Sequence, residues 1–367
     1  MTGSAAILRS VSSRIVAFDL RSAAGRPTGV GRHLLSMAIA ASALPEVEVR
    51  GYVSANGPEL PDAIEIVAIP GRGLRWHLAV WRHLRRYPVT AYVSTSLIVP
   101  SLPGVPALPV VLDVSSFRVP EHQTRRTKLF ERALMGRAVR RHPLIFGSQA
   151  AADDAREVFP TARGVVVPPW FPARPPGSVT AEPPSEPEVA KPYVLMVGTV
   201  EPRKNVLFAA RVVDRLRKRG RDLRLVIVGR QGWSSKSEIE SLRDLERRGA
   251  VVWPGYVTDA RRDALYAGAS ALLMPSIYEG FGMPLVEAMA AGVPCLCSAI
   301  PAFTEVAGDA AVMLDPTRPE QWEAALAGLL DSPDSSEKLR SAGLARAATY
   351  SAGRTAEAFA RALDQRG

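Results

Sequence analysis

The chain alternates short, almost uninterrupted apolar runs with longer stretches whose apolar residues recur at helical spacing, and few folds accept that pattern. In the second half the runs are YVLMVG (193–198), LRLVIVG (223–229), AVVWPG (250–255), ALLMP (271–275) and VPCLC (293–297). Amphipathic segments such as Asn205–Arg219 and Thr258–Ala267 lie between them. A strand that is apolar at every position must be covered on both faces, which requires a parallel sheet with helices on each side. The first half repeats the scheme less regularly, with runs at RIVAFDL (14–20), TAYVST (90–95), LPVVLD (108–113) and PLIFGS (143–148). Between the halves, Val167–Lys191 is dense in proline and poor in periodic apolar positions, the signature of an extended, semi-rigid linker. At 367 residues, two hydrophobic cores are expected rather than one. The expected division is a first α/β domain over 1–170, a proline-rich linker over 171–192 and a second α/β domain over 193–350. A C-terminal helix over 351–367 would pack back on the first domain. Two doubly wound, Rossmann-like domains then face each other across a cleft, with ligand at the carboxyl ends of the strands.

Composition narrows the setting. No apolar run reaches the roughly 18–20 residues needed to span a bilayer, and Leu34–Leu44 is too short. Met1–Ser10 lacks the basic start and long apolar stretch of a signal peptide. Cys295 and Cys297 stand one residue apart and suggest neither a disulfide framework nor a zinc site. The expected location is the cytoplasm, with the inner face of the cytoplasmic membrane as a second setting. Residues 1–170 carry 21 basic and 12 acidic side chains, against 25 and 24 in the remainder, so the excess positive charge belongs to the first domain. An anionic partner of that domain follows: a membrane surface or a phosphate-bearing acceptor. GRGLRWHLAVWRHLRRYP (71–88) interleaves five arginines with Trp76, Trp81 and Tyr87, and a second basic run extends from Arg125 to Arg141. Basic amphipathic helices of this kind can lie in a membrane interface. An ordinary helix packed through Leu78, Trp81 and Leu84 with solvated arginines opposite accounts for the first stretch equally well. No nucleic-acid-binding motif accompanies the charge.

Three segments carry the chemistry. In PSIYEGFGMPLVEAMAAGVPCLCS (275–298), Glu279 precedes Gly280, Phe281 and Gly282, and Pro284 opens a helix that holds Glu287 one turn in. The backbone N–H groups from Gly282 through Met283 to Leu285 are expected to point into the cleft as donors. Two carboxylates eight positions apart can address two parts of one ligand; a glycine turn with two unremarkable acidic residues is the plainer alternative. In VGTVEPRKN (197–205), Arg203 and Lys204 follow a strand and a tight turn, where they can clamp a diphosphate. Cations at a helix N-terminus are mildly unfavourable, so a solvated basic turn explains them less well. In PTGVGRHLL (27–35), Gly29 and Gly31 permit close backbone approach to a phosphate, or simply a tight turn. No Asp-x-Asp pair suited to a metal is present, and Asp153-Asp154 reads as surface charge.

Taken together these segments resemble the retaining glycosyltransferases of family GT4, which have the GT-B fold. The resemblance covers nearly the whole chain and is sharpest from Tyr193 to Pro316, where the spacing of Glu279 and Glu287 matches the family's E-x7-E signature. It implies that Glu279 and the amides after Phe281 hold the donor sugar, Glu287 the ribose, Arg203 and Lys204 the diphosphate, and that Val257 lies near the base. Thr199 stands where many relatives have arginine, which leaves Arg203 and Lys204 to neutralise the leaving diphosphate without a metal ion. It further implies transfer of a hexose, mannose foremost, from a nucleotide-sugar donor to a glycan or polyprenyl-diphosphate-linked acceptor with retention of configuration. GDP-mannose is favoured over UDP-sugars because VGTVEPRKN resembles the variant of bacterial mannosyltransferases. In VVLDVSSFRVPEH (110–122) Leu112 occupies the place of a family histidine while Asp113 remains, so that polar contact is missing unless Asp113, Ser115, Ser116 or His122 supplies it. A non-catalytic nucleotide-sugar-binding or scaffold protein of the same fold is the alternative that Leu112 favours. A nicotinamide-dependent oxidoreductase is disfavoured by Leu34, which stands where the third glycine of G-x-G-x-x-G belongs.

Overall fold

The computed structural model describes residues 14–24, 28–54, 61–98, 105–172, 189 and 192–365. The first sheet contains β1 (Arg14–Asp19), β2 (Val47–Val53), β3 (Ile64–Ala68), β4 (Ala91–Ser94), β5 (Ala107–Val111), β6 (Leu144–Phe146) and β7 (Gly164–Val166). The second contains β8 (Tyr193–Val197), β9 (Arg224–Val228), β10 (Val251–Gly255), β11 (Ala271–Met274), β12 (Cys295–Ser298) and β13 (Val312–Leu314). Both sheets are parallel throughout, ordered β3-β2-β1-β4-β5-β6-β7 and β10-β9-β8-β11-β12-β13. The chain direction reverses across the sheet between β1 and β4, and again between β8 and β11. These two switch points open the crevices in which doubly wound sheets receive ligands.

Helices cover both faces of each sheet. In the first half these are α1 (Gly29–Ser42), α2 (Gly73–Arg86), α3 (Ser115–Arg118), α4 (Arg125–Arg141) and α5 (Gln149–Val158). The second half adds α6 (Val206–Lys218), α7 (Lys236–Arg247), α8 (Asp259–Gly268), α9 (Met283–Ala290) and α10 (Pro301–Ala307). It ends with α11 (Pro319–Asp331), α12 (Pro333–Ala348) and α13 (Ala352–Asp364). Local sequence sets several of these ends. Thr258 caps α8 by accepting from the amide of Arg261 at 3.2 Å, and Ser235 and Glu238 form a reciprocal capping box on α7.

Strands β2, β3, β7 and β13 are absent from the expected set. In β2 (VEVRGYV) and β3 (IEIVA) charged residues interrupt the apolar run, while β7 and β13 have three residues each. Helix α13 lies on the first domain. Its Ala358, Phe359, Ala362 and Leu363 are buried with Phe18, Leu34 and Met37, and the Phe18 and Phe359 rings are 5.4 Å apart. Burying Phe359 alone contributes about 2–3 kcal/mol. The chain therefore crosses between domains twice, and the crossings touch: Phe171 N–H donates to Tyr350 O at 3.2 Å, and Thr355 Oγ1 to Pro168 O at 2.8 Å. Most of the expected 171–192 linker lies outside the described residues.

On α2 the buried residues are Trp76, His77, Val80 and Leu84. Leu78 lies on the exposed face with Leu74, so the packed face is rotated from the one expected through Leu78, Trp81 and Leu84. Among the described residues no helix is long and apolar enough to cross a membrane.

Candidate active site

A cavity of about 330 Å³ lies between the two domains where the switch points meet. Second-domain lining comes from the turn after β8 (Gly198, Thr199, Glu201, Arg203, Lys204), the end of β9 (Gly229, Arg230), the segment after β10 (Tyr256, Val257) and the β11–α9 loop. First-domain lining is Thr28, Gly29, Val30, Arg32 and His33 at the start of α1, with Leu112 and Asp113 after β5.

Glu279 is the electrostatic centre. It is buried, and its Oε2 accepts from Arg203 Nη1 at 2.7 Å, while Oε1 accepts from Ser276 Oγ at 3.0 Å and pairs with Lys204 Nζ. Burial by itself would raise this carboxyl, but Lys204 and Arg203 hold it down at about 2. Arg203 also pairs with Glu201 through Nε at 2.7 Å, and its main-chain oxygen accepts from the amide of Ile277 at 2.8 Å. Burial raises the Glu201 carboxyl, against the pull of Arg203 and Lys204. The expected diphosphate clamp is thus a buried four-member network rather than a pair of exposed cations on a turn. Any anion approaching Arg203 and Lys204 would compete with carboxylates that already satisfy them. Arg230, which the sequence reading did not single out, adds a further cation to the lining, 5.1 Å over the ring of Tyr256.

The helix start after Glu279 is shaped by backbone. Gly282 has φ +101°, a left-handed conformation that favours glycine, and it serves as N-cap of α9. Phe281 packs between Phe171 and Tyr350 at the domain crossing, with ring centroids 6.4 and 5.6 Å away. Of the amides expected to face the cleft, Pro284 has none and that of Leu285 is bonded to Gly282 O at 2.9 Å. Leu285 is fully buried in the core and does not line the cavity; the amides of Gly282 and Met283 remain from the expected set. Gly31 also faces away. A Cβ there would stand 1.9 Å from Ser22 O, so this glycine lets α1 approach the turn after β1, and only Gly29 of the pair lines the cavity.

Glu287 occupies the other end. Its Oε2 accepts from the buried Tyr266 hydroxyl at 2.8 Å, and its Oε1 from Arg32 Nη1, across the cleft, at 3.2 Å. Arg32 Nη2 also reaches Asp259 at 3.0 Å. None of Arg32, Arg262 or Tyr266 was singled out by sequence. The signal available was the position of Arg32 directly after Gly31 in the first-domain glycine turn.

Leu112 and Asp113 line the cavity, while Ser115, Ser116 and His122 do not. Asp113 Oδ1 accepts from the Ser115 amide at 2.9 Å. Beside Leu112 stands His33, buried, with Nε2 3.2 Å from Val167 O; burial lowers its pKa to about 4, leaving a neutral imidazole on the wall. The domains touch closely here. A Cβ on Gly280 would stand 1.9 Å from Leu112 O, and Ser148 Oγ donates to Gly280 O at 2.5 Å. Glu305 accepts from the amides of Gln149 and Ala150 at 2.8 and 2.7 Å, capping α5 from the opposite domain. Among the described residues no cluster of three or more His, Cys, Asp or Glu side chains has the arrangement of a metal centre.

Residues 180–346 match the family described as glycosyl transferases group 1. The second domain belongs to that family. A glycosyltransferase domain thus supplies Arg203, Lys204, Glu279 and Glu287, all of which fall inside the matched residues. The O-antigen chain mannosyltransferase B of Escherichia coli is 36% identical over 161 residues, which are 43% of this chain and 42% of that enzyme. The match therefore spans about two fifths of that curated relative. WaaG, a glycosyltransferase involved in lipopolysaccharide biosynthesis, superposes with a TM-score of 0.70 over 96% of this chain and 100% of its own, at 20% identity. Sucrose-phosphate synthase from Thermosynechococcus elongatus gives 0.75 over 96% and 98%, at 17% identity. The chain has the GT-B fold, and the glycosyltransferase domain forms its second half.

Proposed function

We propose that this protein transfers a hexose, mannose foremost, from a nucleotide-sugar donor to a glycan or lipid-linked sugar acceptor with retention of configuration. The observation that carries the reading is Glu279, held ionised by Arg203 and Lys204 in the interdomain cavity, with Glu287 one turn inside α9 at the cavity's other end, both within the matched family segment. In this reading Glu279 and the amides of Gly282 and Met283 hold the donor sugar. Arg203 and Lys204 take the diphosphate, Glu287 the ribose, and Val257 lies beside the base.

Breaking the anomeric C–O bond leaves negative charge on the β-phosphate. Arg203, Lys204 and Arg230 are the cations of the lining placed to stabilise that charge as it develops. Retention requires the acceptor to attack from the face the diphosphate leaves, so a departing phosphate oxygen takes the acceptor proton. Asp113 and the neutral His33 imidazole are the polar groups of the lining beside Leu112, where the transferred sugar would meet the acceptor. GDP-mannose is our favoured donor, with support from the mannosyltransferase relative. A polyprenyl-diphosphate-linked acceptor suits the basic first domain and the exposed arginines of α2, which would rest on an anionic membrane at the cytoplasmic face.

Thermal unfolding in the presence of GDP-mannose, UDP-glucose and UDP-N-acetylglucosamine tests the donor, since a ligand of the native state stabilises by mass action. GDP-mannose is expected to give the largest upward shift. No shift with any of the three sinks the reading. A shift without donor hydrolysis or transfer instead favours a binding protein of the same fold, the alternative that Leu112 motivates.

A further inference from the structure

Two groups from its own domain flank Glu287. Tyr266 donates to Oε2 at 2.8 Å, and Arg262 Nε stands 3.9 Å from the same oxygen. Arg32, on the first turn of α1 in the opposite domain, places Nη1 3.2 Å from Oε1 and Nη2 3.0 Å from Asp259 Oδ1. Its side chain is mostly buried, and its Nε is enclosed without a hydrogen-bond partner, so the guanidinium is committed to this junction rather than to solvent. The planar fork of arginine suits such a bridge, because two N–H donors reach two carboxylates from one rigid group.

Counting acceptor positions shows what the arrangement leaves open. An ionised carboxylate offers about four lone-pair positions, two on each oxygen. Tyr266 takes one on Oε2 and Arg32 takes one on Oε1. One position remains on each oxygen, which is what two neighbouring hydroxyls of a ligand require. We propose that Arg32 is a positioning residue for the ribose of the nucleotide: supplied by the first domain, it fixes the Glu287 carboxylate so that a vicinal diol is recognised only when the cleft is closed. The inference rests on the reading of Glu287 as the ribose ligand. It adds that ribose recognition is shared between domains, whereas the carboxylate and cations of the diphosphate end come from the second domain alone.

The test is calorimetric binding of GDP, UDP, their 2′,3′-dideoxy forms and inorganic pyrophosphate to the full chain and to Arg32→Gln, Arg32→Lys and Glu287→Gln. The wild type should prefer the ribonucleotide over its dideoxy form. In Arg32→Gln that preference should shrink by roughly tenfold, the scale of a hydrogen bond to a charged group, while pyrophosphate affinity stays unchanged. Arg32→Lys should recover part of the preference, because the charge returns without the fork. An undiminished ribose preference in Arg32→Gln, alongside its loss in Glu287→Gln, overturns this inference and spares the ribose assignment. An equal loss of pyrophosphate and nucleotide affinity in Arg32→Gln also overturns it, since the effect would not belong to the ribose. No preference in the wild type, no binding of either nucleotide, or full preference in Glu287→Gln removes the ribose assignment and this inference together.

Discussion

The two walls of the cleft are built on opposite principles. The second-domain wall is dense in charge that is already paired, with Glu201, Arg203, Lys204 and Glu279 in one buried network. Among the described residues the first-domain wall presents Gly29, Val30, His33 and Leu112, with only Arg32 and Asp113 as charged side chains. Its arginine is turned onto carboxylates of the other domain. The family match, residues 180–346, covers the first of these walls and not the second. A wall whose charges fix one another can hold a constant ligand part, such as a nucleotide diphosphate. A wall with few fixed charges can vary with the acceptor.

The sharpest way to break this contrast is to discharge the second-domain network. Glu279→Gln and Lys204→Ala should each lower transfer by at least about 100-fold, the scale of losing a preorganised charge contact. Thermal unfolding should be followed in parallel, because stripping one partner from a buried ion pair costs about 3–5 kcal/mol. Near-normal turnover in either variant contradicts the site assignment.

The first-domain wall should show itself through pH instead. His33 has its folded pKa lowered from 6.5 to about 4, so on acidification the unfolded chain takes up the proton first. Stability is therefore full above pH 6.5 and falls as pH drops towards 4, by ~3 kcal/mol from this group. Glu279 acts in a lower window, contributing above about 4.5 and losing its contribution as pH falls towards 2. Denaturant titrations of His33→Gln should show a shallower slope between 6.5 and 4, retaining the part that His77, His83 and His142 contribute because burial lowers them too, and keep the slope below it. An unchanged slope in the upper window would show that His33 is not the group responsible.

A smaller effect sharpens the comparison at the Glu287 end. Glu287→Ala should weaken nucleotide binding by about tenfold, the loss of charge-assisted hydrogen bonds, with a lesser change in turnover. Equal nucleotide affinity in titrations would contradict its role. The smallest change belongs to the rim. Glu305→Ala removes the second-domain cap on α5 and should cost about 1 kcal/mol or less. Small-angle scattering should then report a more open ligand-free chain, and an unaltered scattering profile would indicate that this contact does not govern closure.

Much of this was legible in the sequence for a physical reason. Strands buried on both faces leave continuous apolar runs, and both sheets announced themselves in that way. The turns that hold Glu279, Glu287, Arg203 and Lys204 could be found because glycine and proline mark where backbone geometry is special. Strands β2 and β3 escaped because charges interrupt their runs. The partners of Glu287 escaped for a different reason: Arg32 stands 255 positions away from it, and no local pattern encodes a contact made by closing two domains. Gly31 and Leu285 misled in the opposite sense. Gly31 serves packing against Ser22 rather than approach to a phosphate, and the Leu285 amide is already spent on the helix start.

Helix α13 carries a consequence for how the chain is made. The first sheet packs against a helix that the ribosome delivers only after the second domain, and Thr355 meets Pro168 across 187 positions. The amino-terminal half therefore emerges without the α13 side chains that pack on Phe18, Leu34 and Met37, and it waits for the second domain to be made before its core closes. Domains usually fold in order of synthesis, and here the first to appear is completed only after the second has been made. A fragment that ends before Ala352 should leave the ribosome with an apolar face and aggregate. The same fragment mixed with a separately supplied α13 peptide offers a direct view of that final docking step.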